Sequence, residues 1–71
     1  MRKIMTPREK EVFLLILNNY DTKEIAQRLH ISDKTVRNHI SNVMIKLGVK
    51  GRAQAIVALL KLQELSLDES R

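Results

Sequence analysis

Ile31-Ser32-Asp33-Lys34-Thr35-Val36-Arg37-Asn38-His39-Ile40-Ser41-Asn42-Val43-Met44-Ile45-Lys46-Leu47 encodes one helix with an apolar back and a polar front. Val36, Ile40, Val43, Met44 and Leu47 fall at i, i+4, i+7, i+8 and i+11, a single core-facing stripe at the helical period. Lys34, Arg37, Asn38, Ser41 and Asn42 project from the other side. They are short or forked hydrogen-bonding groups of the kind that bond base edges and phosphates, unlike the Glu/Lys mixture of an ordinary solvated helix. Ser32 caps this helix and Gly48 stops it by taking a left-handed conformation.

Upstream, Thr6-Pro7-Arg8-Glu9 is a helix start. Thr6 caps, Pro7 stands where its missing N–H costs nothing, and Glu9 completes a capping box. The first helix is predicted from Pro7 to about Leu17, with apolar residues nearly all round it and Leu14 the one left over. Asn19 suits a left-handed residue closing it. Asp21-Thr22-Lys23-Glu24 repeats the capping pattern for a second helix, Thr22 to Leu29, whose inner face is Ile25, Ala26 and Leu29. His30 and Ile31 form the tight connection to the third. Two helices joined by so short a turn make a helix-turn-helix.

After the Val49-Lys50-Gly51 turn, a fourth helix is predicted from Arg52 to about Glu64. Ala55, Leu59 and Leu62, with Ala58, form the stripe that closes the core. Ala53, Val57 and Leu60 point the opposite way, more apolar surface than a terminal helix of a monomer needs, and a two-fold contact would bury them. The tail 66–71 is polar and expected to fray. The whole, 1–71, reads as one all-α, four-helix domain with an ordered core of about 6–65.

Thirteen Lys and Arg against eight Asp and Glu leave 71 residues with a charge of +5. That balance suits a nucleic-acid partner, although a merely solubilising basic surface has the same composition. A chain this short buries only about 60% of its unfolded surface, so association would help it. There is no cysteine, which excludes disulfides and thiolate metal sites and fits a reducing cytoplasm. No apolar run nears the roughly 20 residues that span a bilayer, and Met1-Arg2-Lys3-Ile4-Met5 has no signal-peptide core. A soluble cytoplasmic protein is expected.

Taken together, Thr6-Pro7-Arg8-Glu9 with Glu11-Val12-Phe13, Thr22-Lys23-Glu24-Ile25-Ala26, Lys34 through Asn42, and Lys46 through Arg52 resemble the LuxR/FixJ/NarL class of bacterial helix-turn-helix domains, most of all its small spore-development regulators. The resemblance spans nearly the whole chain. It implies a four-helix domain that binds DNA as a homodimer, helix 3 in the major groove and helix 4 at the dimer contact. By position, Arg37, Asn38 and Ser41 match places that touch base edges, flanked by Lys34, Thr35 and Asn42. Thr22, Lys23, Thr35, His39 and Lys46 match or adjoin places used for the phosphate backbone. Asn19 stands where a glycine is common and Leu14 where a polar residue is usual. Many relatives carry this domain behind a receiver or autoinducer-binding domain, absent from these 71 residues, so control by abundance is expected unless the chain is part of a longer protein.

Other chemistry finds little footing. His39 lies at the edge of the stripe, where a packed histidine competes with a phosphate contact. His30 and His39, nine apart without clustered carboxylates, do not make a metal site. Ser32, Ser41 and the two histidines are accounted for by capping and DNA contact, and no Gly-rich loop or carboxylate pair forms a catalytic pocket. Met1, Met5 and Met44 read as a start residue, a flexible arm and core packing, and no cofactor is called for. The sequence therefore points to a sequence-specific, dimeric DNA-binding transcription regulator, with RNA polymerase a further candidate partner. The alternatives are a helical protein-interaction module, to which the carboxylate-free front of helix 3 is ill suited, and a nonspecific DNA-binding protein.

Overall fold

The computed structural model describes residues 4–67 and forms, among them, four helices and no strand: α1 (Pro7–Leu17), α2 (Thr22–Leu29), α3 (Asp33–Leu47) and α4 (Arg52–Lys61). Three of the four starts are capped by side chains. At α1 the Glu9 N–H donates to Thr6 Oγ1 (3.1 Å) while the Thr6 N–H donates to Glu9 Oε1 (2.9 Å). At α2, Asp21 and Glu24 exchange the same pair of bonds at 2.8 and 2.9 Å. Ser32 Oγ accepts from the Thr35 N–H at 3.0 Å to open α3. Each arrangement satisfies donors that a helix N-terminus otherwise leaves unpaired. Gly51, at the start of α4, supplies no side-chain cap.

All four helices stop the same way. A left-handed residue follows the last turn, and the next N–H reaches back to a carbonyl five residues earlier: Asn19 (φ 69°) with Tyr20 N–H to Leu15 O, His30 (φ 59°) with Ile31 N–H to Ala26 O, Gly48 (φ 69°) with Val49 N–H to Met44 O, and Gln63 (φ 61°) with Glu64 N–H to Leu59 O. This is the Schellman turn, which satisfies the last free carbonyls. Asn19 and Gly48 were expected to do this; His30 and Gln63 were not.

The core is built around α3, which packs against each of the other helices, whereas α4 packs chiefly on α3. Val36, Ile40 and Val43 are buried, with Met44 and Leu47 at the margin, so the predicted stripe is the one that faces in. Val12 and Phe13 of α1, Ile25 and Ala26 of α2, and Ala55 and Leu59 of α4 close on it.

Five expectations are corrected at the edges. The helix expected to reach Glu64 ends at Lys61, because the left-handed Gln63 turns the chain back. That turn leaves Leu62 50% exposed and buries Leu65 in its place. Leu60 packs against the core margin instead of pointing away from it, and Leu14, expected to be left over, does the same. Met5, expected in a flexible arm, is a buried core residue. The expectations for Met1 and for the last four residues of the tail lie outside the described residues.

Candidate nucleic-acid interface

The cap at Ser32 and the stop at Gly48 fix where α3 begins and ends, and the buried stripe fixes its rotation. The opposite side is therefore presented to solvent as one surface. Lys34, Arg37, Asn38, Ser41 and Asn42 are all exposed there. Among the described residues none of the five is hydrogen-bonded or ion-paired to another part of the chain, and no carboxylate lies between Lys34 and Asn42, the half-buried Asp33 standing one turn before Arg37. Two cations, two carboxamides and a hydroxyl thus share one helix face with their donors and acceptors uncommitted. In water such groups hydrate; against a duplex they match base edges and phosphate oxygens.

The residues expected at the phosphate backbone are placed less uniformly. Lys23 is exposed at the second position of α2. Thr22 Oγ1 accepts from Arg52 Nη2 at 3.2 Å, which brings an exposed guanidinium from the start of α4 beside the start of α2. Sequence reasoning missed Arg52, since a contact across thirty residues leaves no local signal. The Thr35 hydroxyl lies 2.9 Å from that of Ser32 as part of the cap. His39 is half-buried.

Lys46, exposed at the end of α3, already has partners within the protein. Its ammonium donates to Glu9 Oε1 at 2.7 Å and to the Ile4 carbonyl at 3.1 Å. The Glu9 side chain is 5% exposed and that of Lys46 38%. Burial by itself would raise the Glu9 carboxyl, but the hydrogen bond from Lys46, the Thr6 N–H, and the positive charges of Lys46 and His39 outweigh it and hold the carboxyl below its ordinary value. Lys46 thus ties the N-terminal arm and α1 to the end of α3.

One exposed residue on the front of α3 escaped the sequence reading. Ile45 is 77% exposed, the most open large apolar side chain among those described. Its position one turn beyond Ser41 was the available signal.

On α4 the outward surface is an open apolar groove lined by Ala53, Gln54, Val57, Ala58 and Lys61. Ala53 and Val57 lie in it as expected. Leu60 sits at the core margin, and Ala58, expected inside, lines the groove. His30 and His39 belong to no group of three or more potential metal ligands among the described residues. No helix among those residues is long and apolar enough to cross a membrane.

Residues 3–59 match the family of GerE, the bacterial regulatory proteins of the luxR family. The chain is 61% identical over 66 residues to the spore germination protein GerE of Bacillus subtilis, covering 93% of this chain and 89% of that protein. It is 46% identical over 55 residues to the response regulator protein VraR of Staphylococcus aureus, covering 78% of this chain but 26% of that longer protein. A solved structure of the transcription factor GerE superposes with a TM-score of 0.88 at 59% identity, over 93% of this chain and 98% of that one.

Proposed function

The chain belongs to the luxR family of bacterial regulatory proteins, and from that premise we propose how this transcription regulator reads DNA: as a homodimer that lays the front of α3 in the major groove. The family is one of regulators and not of enzymes. The observation that carries the reading is the uncommitted polar front of α3, with no carboxylate between Lys34 and Asn42, set in rotation by the core behind it. Arg37 is suited to bidentate contact with guanine O6 and N7, and Asn38 with adenine N6 and N7. Ser41, Lys34 and Asn42 complete the base-reading surface. Lys23 and Arg52, brought to one corner by the Arg52–Thr22 bond, supply phosphate contacts, with Thr22, Thr35 and His39 at their flank. A second copy covers the α4 groove, centred on Val57 with Ala53 and Ala58 beside it, while Leu60, also expected at this contact, packs at the core margin. Such a protein works in the cytoplasm, and RNA polymerase is the further partner through which it acts.

Selection of bound duplexes from a random pool tests this reading. The expected outcome is an enriched site with two symmetric halves, preferred over random sequence by about a thousandfold or more. Binding without enrichment would leave a nonspecific DNA-binding protein, and no retardation of any duplex would leave a protein-interaction module. Either result overturns the proposal.

A further inference from the structure

Ile45 extends the line of reading residues. Lys34, Asn38, Ser41 and Ile45 stand at i, i+4, i+7 and i+11, so Ile45 is turned only about 20° from Lys34 and lies about 6 Å beyond Ser41 along the helix axis. It is 77% exposed, while Val43 and Ile40 on the reverse of the same helix are buried. A β-branched side chain gains nothing from an exposed helical position, where its propensity is below that of Ala, Glu or Lys. A single surface isoleucine is unremarkable elsewhere on a protein. In line with side chains that fit base edges, it meets a groove whose one apolar feature is the thymine C5-methyl.

We propose that Ile45 is a specificity-determining residue that packs on a thymine methyl in duplex DNA, next to the base pair reached from Ser41. The assignment rests on α3 reading the major groove. It extends the recognition surface one helical turn toward Gly48 and adds an apolar contact to an otherwise polar front.

The test uses the full chain and the duplex enriched from a random pool. Each thymine is replaced in turn by deoxyuridine, which removes the C5-methyl and leaves every hydrogen-bonding group in place. At one thymine in each half-site the wild type should lose roughly three- to tenfold in affinity, the worth of about one buried methyl. Ile45→Ala should bind the thymine and uracil forms of that position equally, while keeping the preferences lost in Arg37→Ala. Its melting temperature and sedimentation should match the wild type, because the side chain packs on little of its own protein. If Ile45→Ala keeps the full thymine-to-uracil ratio at every position, Ile45 touches no methyl and this proposal falls while the reading by Arg37 stands. A variant that unfolds earlier or changes its association state also overturns it, by making Ile45 a structural or subunit contact. If the pool yields no preferred duplex and Arg37→Ala binds like the wild type, both proposals fall together.

Discussion

Two cations that look alike in the sequence have different work to do. Lys23 stands in solvent at the start of α2, whereas Lys46 is held by Glu9 and the Ile4 carbonyl. Lys23→Ala should therefore weaken binding to all duplexes alike and reduce the salt slope by about 1. Lys46→Met should leave that slope unchanged and destabilise the fold by about 1 to 3 kcal/mol, the low end for a stranded buried carboxylate, because water screens the partly exposed ammonium. Urea unfolding and salt titration of both variants separate the roles. Arg37→Ala should instead cost about 1 to 3 kcal/mol and relax the preference at one base position. The depressed Glu9 carboxyl sets the pH dependence. Its contribution to stability is fully present above the ordinary value of 4.5 and is lost as pH falls through the lower folded-state value. Glu9→Gln should flatten that acid limb in a pH series of unfolding free energies. Glu9 was legible as a capping residue because Thr6 is three positions away. Its pairing with Lys46 spans 37 residues and depends on how α1 lies on α3, which no local pattern encodes.

Helix beginnings were readable in this chain, and helix ends only where the residue type gave them away. A capping box puts its two partners within one turn, so Thr6 with Glu9 and Asp21 with Glu24 announce themselves. A left-handed stop announces itself when it falls on Gly or Asn, as at Gly48 and Asn19. His30 and Gln63 take the same conformation with less intrinsic preference for it, and the backbone bonds of the turn and the burial of Leu65 outweigh the strain. Missing the stop at Gln63 lengthened α4 by three residues and exchanged Leu62 for Leu65 in the core. At Gly48 an added Cβ would meet nothing within 4 Å, so substitution there is limited by backbone conformation and not by space. Melting temperatures should consequently fall in the order Gly48→Asn, Gly48→Ala, Gly48→Val, with Val the most destabilised, by about 2 kcal/mol or more. Equal melting of the three variants would show that the left-handed geometry is not what Gly48 supplies. The polar front of α3 was legible for the same reason as its start: one period sorts every residue. Ile45 was passed over since isoleucine in a helix reads by default as core.

At the scale of the whole molecule, α3 contributes both to the core and to the exposed polar face proposed to read DNA, and α4 presents an apolar groove away from both. A two-fold contact through that groove pairs each patch with its own copy, so Val57→Glu would bring two carboxylates together in a desolvated seam. The variant should sediment as a folded monomer, keep its affinity for a single half-site, and bind a two-half-site duplex far more weakly, because the second reading helix is no longer held nearby. A variant that still sediments as a dimer would move the interface elsewhere. The outward position of Val57 was legible from its spacing to Ala53. Leu60 was misplaced because the two apolar arcs of α4 meet there, and only the angle of α4 on α3 decides to which it belongs. The one-sided support of α4 also bears on how the molecule opens. Resting chiefly on α3, with a hydrogen bond from Arg52 to α2 and no side-chain cap at Gly51, α4 is expected to be the first segment to open. Its amides should exchange with solvent deuterium through local opening, well before those of α3, whose protection should track global unfolding. If a second copy covers the groove on the same helix, as proposed, raising the protein concentration should slow exchange in α4 selectively, so that mass action tightens the loosest part of the fold.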